Sequence, residues 1–165
     1  MLEILIRRSY GSLRKLCVFG LQNDRLLSFI AEHAGSFQTP QLIRSEISDS
    51  LAEEIAERFS ILTFSDVSCC NKTGSRALEA VGKNCNSLVG LCWNMHPLTT
   101  AGKFPQDEEA HAIATTMPDT KGVLEILSCC PELELLDLRG CRHVELNVKF
   151  LKEKLPKLLR MDALG

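Results

Sequence analysis

From Leu133 the chain reads Leu-x-x-Leu-x-Leu-x-x-Cys and closes on Cys141. Apolar residues at alternate positions make one face of a short strand. What constrains the fold is that this pattern returns. Copies begin at Leu13, Phe37, Leu62, Leu88, Leu133 and Leu158, so the gaps are 24, 25, 26, 45 and 25 residues. The first three framework positions of six copies make 18 sites, of which 16 are apolar, Pro40 and Ser65 being the exceptions. At 45% apolar composition, chance would give about 8. The approach to the strand repeats as well: Cys85-Asn-Ser-Leu88, Cys130-Pro-Glu-Leu133 and Leu155-Pro-Lys-Leu158 align position for position.

A period inside roughly 20–29 residues with this framework is that of a leucine-rich repeat. The expected fold is therefore α/β: a solenoid with a curved parallel sheet on the concave side and helices on the convex side. Five to six partly irregular repeats fill residues 1–165 as a single domain. The composition, 24% charged residues with a net charge of −2, suits a folded globular chain. No basic run points to nucleic acid, and no apolar run approaches the roughly 18 residues of a membrane span. The opening residues 1–8 are too short and wrongly flanked for a secretory signal. That favours a reducing compartment, nuclear or cytoplasmic.

Taken in order, residues 1–9 read as the end of a helix with no residue to cap its start. Asp24 is placed to cap a helix carrying Leu26, Leu27, Ile30 and Ala34 on one face. In the second copy Pro40 removes a ladder donor, so a distorted, weakly paired strand is expected. Ser50 and Glu53 have the spacing of a capping box, with Ser48 or Asp49 as alternative caps. The helix that follows buries Leu51, Ile55 and Phe59. Gly74-Ser75 leads into a helix with Ala77, Leu78 and Val81. Residues 94–106 read as a loop insertion, broken by Pro97, Gly102 and Pro105. A helix from Asp107, carrying Ala110, Ile113 and Ala114, is followed almost at once by another from Val123 to Cys130. One repeat strand is thus missing near 118–122, and a break in the strand ladder is expected there. Asn147 caps a last helix with Phe150 and Leu151 ahead of the final strand.

Little in the chain reads as reaction chemistry. Its eight cysteines form no C-x-x-C and no zinc-finger spacing. Cys70 and Cys141 stand at the thiol position of the repeat, and Cys85 and Cys130 close helices. All four read as buried, reduced thiols used as small hydrophobes. Asp107-Glu-Glu-Ala-His111 has one residue too many for a helicase box and no phosphate loop beside it. Cys141-x-His143 uses a framework residue, His33, His96 and His111 stand alone, and Trp93 occupies an inward position. No cofactor, metal or catalytic residue is assigned, and the chain is not expected to be an enzyme.

Residues 47–57, Gly74-Ser-Arg-Ala-Leu-Glu-Ala-Val-Gly-Lys-Asn-Cys85, Asn94-Met-His-Pro-Leu98 and Cys130-Pro-Glu-Leu-Glu-Leu-Leu-Asp-Leu-Arg-Gly-Cys141 carry a resemblance over nearly the whole chain. They are similar to the cysteine-containing leucine-rich repeats of plant F-box proteins. In that family an F-box binds a Skp1-like adaptor of an SCF-type ubiquitin ligase, and the repeats choose the protein to be ubiquitylated. The resemblance implies a target-binding module with no catalytic residues. It departs from the family at Pro40 and Ser65, at the missing strand, and in showing no leucine- and proline-rich F-box segment ahead of the repeats. An adaptor partner is expected only if an F-box stands upstream. The alternative is a repeat protein acting as a decoy or scaffold outside the ligase, or a truncated remnant.

Residues between the framework positions point out of the sheet, because strand side chains alternate. Those expected to meet a protein partner on the concave face are Phe19, Phe64, Asp66, Asn94, Leu135, Asp137 and Arg139. Apolar residues rimmed by charge are the usual make-up of such a patch.

Overall fold

The computed structural model describes residues 1–33, 35–95, 119–147, 149, 151, 153 and 157–162. Its strands are β1 (Lys15–Phe19), β2 (Thr39–Ile43), β3 (Phe64–Asp66), β4 (Gly90–Cys92), β5 (Leu135–Asp137) and β6 (Arg160–Asp162). They pair in chain order as one parallel six-stranded sheet. The register is constant, so that Phe64, Gly90, Leu135 and Arg160 lie side by side. Helices α1 (Leu2–Arg8), α2 (Asp24–His33), α3 (Asp49–Ile55), α4 (Ser75–Asn84) and α5 (Thr120–Cys129) run between or ahead of the strands. Lys149, Leu151 and Glu153 are helical too. Ala34, Phe150 and the expected helix from Asp107 lie outside the described residues.

The framework residues make the core. Phe37, Leu42, Leu62, Leu88, Leu91, Trp93, Leu133, Leu136 and Leu138 are all buried, together with the helix residues Leu27, Ile30, Leu51, Leu78 and Ile126. Removing apolar surface of this kind from water contributes about 25 cal/mol per Å². Trp93 is core, and its indole Nε1–H finds no acceptor among the described residues.

Three expectations change. Pro40 weakens the pairing of its strand on one side only: β2 pairs with β1 along all five residues. The Thr39 N–H donates to Arg14 on the β1 side. Successive backbone groups of a strand face opposite edges, so the missing Pro40 donor falls on the β3 side. There the ladder thins to Gln41 opposite Asp66. The expected break near 118–122 does not occur either, because β4 pairs directly with β5. Residues 119–122 begin α5, which starts ahead of Val123 and packs on α4 through small residues. A Cβ on Gly122 would stand 3.1 Å from Ser75 Cα, and one on Gly82 would stand 3.3 Å from Ile126 Cα. The helix layer and the sheet both close over the irregular gap between copies. The loop of residues 94–106 lies almost wholly outside the described residues.

The third change concerns capping. Asn23, not Asp24, accepts the Leu26 N–H at the start of α2. Ser48 caps α3 by accepting from Leu51 N. The neighbouring carboxylates also bond to the adjacent repeat, Asp24 and Asp49 forward and Asp119 backward. Asp24 takes the Ser48 N–H and hydroxyl at 3.2 and 2.7 Å. Asp49 takes the Gly74 N–H at 2.7 Å, and Asp119 takes the Ser75 hydroxyl at 2.7 Å while capping its own helix at Gly122.

The cysteines make a parallel set of bonds. Cys70, Cys85, Cys130 and Cys141 are fully buried. Their thiols donate to Leu42, Phe59, Cys85 and Trp93 carbonyls at 2.9, 3.2, 3.4 and 3.1 Å. Each acceptor belongs to the preceding copy, so these thiols are donors as well as small hydrophobes. Burial pushes Cys70, Cys85 and Cys141 up to about 12 and Cys130 up to about 11. A thiol held so far from its thiolate is a poor nucleophile.

Maleimide labelling of the native protein at pH 8 should therefore modify the exposed Cys17 first. The four ladder cysteines should react only after denaturant is added, as read by mass spectrometry of tryptic peptides. Gly122→Ala should lower stability by about 1–2 kcal/mol in urea unfolding, because the overlap with the Ser75 backbone outweighs the gain in helix propensity.

Candidate interaction surface

The outward face of the sheet carries three side-chain rows set by the strand register. The first runs Lys15, Thr39, Phe64, Gly90, Leu135, Arg160, and the second begins Cys17, Gln41, Asp66, Cys92, Asp137. Phe19 and Ile43 begin the third, followed just beyond the shorter strands by Ser68, Asn94 and Arg139.

Within the first row the Phe64 ring lies over Gly90. A Cβ on Gly90 would stand 2.6 Å from Phe64 Cδ2, so glycine is what lets the ring settle there. Leu135 closes the far side. With Thr63, Val89 and Glu134, these three residues line an open, mostly apolar cleft crossing three successive strands. Phe64 and Leu135 are half-buried in it rather than exposed.

Phe19 is the most open large apolar side chain of the described strands, at 63% exposure. The Arg44 guanidinium lies 5.4 Å from its ring centroid, a cation–π distance. Arg44 also bonds to the Cys69 thiol, which burial raises and Arg44 lowers, with a net upward shift. Arg44 (φ 54°) and Cys69 (φ 58°) adopt the left-handed turn conformation that Gly20 and Gly140 supply at the matching positions after β1 and β5. Side-chained residues there carry backbone strain of about 1 kcal/mol or more.

Asp137 differs from expectation. Alternation does point it outward, but it is only 7% exposed, because Arg139 folds back over it. The guanidinium donates from Nε at 2.9 Å and from Nη2 at 2.7 Å. Burial alone would raise the Asp137 carboxyl. Arg139's bonds and charge, with further charge from Arg160, outweigh burial and hold it below its ordinary value. Between the two acidic positions, burial and the flanking Asp66 and Asp137 push Cys92 up to about 11. Asn94 donates its backbone N–H to Ser68 Oγ at 3.2 Å.

Of the residues expected on this face, Phe64 and Leu135 come together in the cleft, and Asp66 stands two residues along β3 from Phe64, in the next row. Phe19 stands apart with Arg44, and Asp137 and Arg139 satisfy each other. Sequence reasoning passed over Thr63, Val89 and Glu134, which line the cleft one place before each strand. Aligning the copies one residue further upstream would have found them. Among the described residues no group of three His, Cys, Asp or Glu side chains is placed to hold a metal ion. Cys141 spends its thiol on the Trp93 carbonyl and stays buried. Residues 107–111 and His96 lie outside the described residues.

No protein-family model matches the sequence. Curated relatives do. The chain is a homologue of plant F-box proteins, matched over most of its length. With the F-box protein FBW2 of Arabidopsis thaliana it shares 52% identity over 96% of this chain and 54% of that one. With the F-box protein SKIP1 of the same plant it shares 30% over 87% and 56%, and with the putative F-box/LRR-repeat protein 23 it shares 29% over 86% and 34%. The chain thus spans about half the length, or less, of the curated relatives it matches. Among solved structures, the leiomodin-1 actin-binding site 2 matches with a TM-score of 0.54 over 95% of this chain and 84% of that one. At 12% identity this is a likeness of fold alone.

The Asp137–Arg139 pair gives a pH prediction. A carboxyl held below its unfolded value contributes stability above that value, about 3.9, and loses it as pH falls through the folded value. Asp137→Asn should therefore lower stability at pH 7, and should flatten the fall of the urea midpoint when the protein is acidified below about pH 4.

Proposed function

We propose that this chain is a leucine-rich-repeat solenoid whose outward sheet face is concave, and that this face holds a protein destined for ubiquitylation. On this reading the chain is the substrate-recognition part of an F-box/leucine-rich-repeat subunit of an SCF-type ubiquitin ligase. The observation that carries it is the apolar cleft of Phe64, Gly90 and Leu135. The cleft crosses three repeats in register, with Glu134 in its lining and Asp66 in the adjacent row. Apolar centres with charged rims are what protein partners bury. The names of the homologous proteins supply the ligase context. The chain itself offers its partner a surface rather than a reacting group. A Skp1-like adaptor joins only where an F-box is present upstream. The eight free cysteines suit a reducing compartment, nucleus or cytosol.

The test is affinity capture from plant extract with the tagged wild-type chain beside Leu135→Asp and Phe64→Asp. Both positions face outward, so the variants should keep the wild-type circular dichroism and melting behaviour. They should lose at least tenfold of the captured target, the usual cost of placing a charge in an interface centre. A partner set that survives both substitutions unchanged would overturn the assignment of this face.

A further inference from the structure

We infer that the partner brings a lysine or arginine side chain to Asp66, beside an apolar side chain seated in the Phe64–Gly90–Leu135 cleft. This rests on the reading of that face as the partner site and specifies the chemistry of what it takes.

Asp66 and Asp137 are equivalent positions of two repeats, lying in one row with Cys92 between them. Both accept the N–H of the residue two places on, Ser68 at 3.0 Å and Arg139 at 3.2 Å. There the likeness ends. At Asp137 that residue is an arginine whose guanidinium clamps the carboxylate through two bonds. At Asp66 it is a serine, which brings no charge. Among the described residues no cation forms an ion pair with Asp66. Arg44, the cation across the Cys69 turn, is engaged with the Phe19 ring and the Cys69 thiol. Among the described residues the fold thus supplies a guanidinium for one carboxylate of the row and none for the other.

The position of Asp66 makes this consequential. It is half-buried, flanked by Cys92, and two residues along β3 from Phe64. A protein that fills the cleft also covers Asp66 and strips its water. Desolvating a carboxylate without a compensating charge is strongly unfavourable, so neutral and acidic partners are selected against. Residues i and i+2 of a strand are about 6.5 Å apart. The partner's basic group and its apolar side chain are therefore close neighbours on one surface.

The experiment is selection of a phage-displayed random dodecapeptide library on the immobilised chain. The selected peptides are then titrated by fluorescence anisotropy against the wild type, Asp66→Asn, Asp66→Lys and Leu135→Asp, each shown to fold by circular dichroism. Expected are peptides with Lys or Arg near an apolar residue, bound roughly tenfold or more weakly by Asp66→Asn. Binding should weaken as salt rises, and reselection on Asp66→Lys should yield Asp or Glu instead. Peptides that lose binding to Leu135→Asp yet tolerate Asp66→Lys would overturn the cation requirement and leave the face standing. Peptides indifferent to both substitutions, or no enrichment on a folded chain, would overturn both.

Discussion

Successive copies of the repeat complete one another's hydrogen bonding, and the rest of the structure follows from that. A buried carbonyl or helix-end N–H without a partner costs about 1–3 kcal/mol. Here the partner is a side chain one copy away: a cysteine thiol at Leu42, Phe59, Cys85 and Trp93, and an aspartate or serine oxygen at Ser48, Gly74 and Asp119. Exposed ion pairs such as Glu53–Arg76 and Glu79–Lys121 also cross between helices, but pairs so open to water add little. The buried bonds hold each strand at one height against its neighbour. That fixed height is why Phe64, Gly90 and Leu135, far apart in sequence, form one cleft.

The core was legible because the framework spacing reports it directly. Leu88, Leu91 and Trp93, like Leu133, Leu136 and Leu138, are buried as alternation requires. The aspartates were less legible. Asp24 stands where a local cap belongs, and nothing in its neighbourhood says that its acceptor role lies 24 residues on. The same limit applied to Asp137: alternation gives the direction of a side chain, while its exposure depends on Arg139 folding back. The break expected near residues 118–122 came from treating every helix as owed a strand. The sheet needs only that the next strand arrive at the right height, and Leu135 does so opposite Gly90.

Homology to plant F-box proteins and the face geometry carry different parts of the functional reading. The relatives' names speak to the context in which such a chain works. The rows of side chains speak to what it can hold. The strained turn at Arg44 and its stacking on Phe19 keep a cation at one end of the face. Charge on this surface is therefore distributed in separate places rather than pooled.

The direct pairing of β4 with β5 has an evolutionary consequence. The chain between these two strands is longer than between any other neighbouring pair, yet Gly90, Leu91 and Cys92 meet Leu135, Leu136 and Asp137 in the common register. The strands themselves, with the helices packed behind them, therefore set the alignment, and connection length is free to vary. A lineage can lengthen or shorten what joins two strands while the order of side chains along the sheet stays constant.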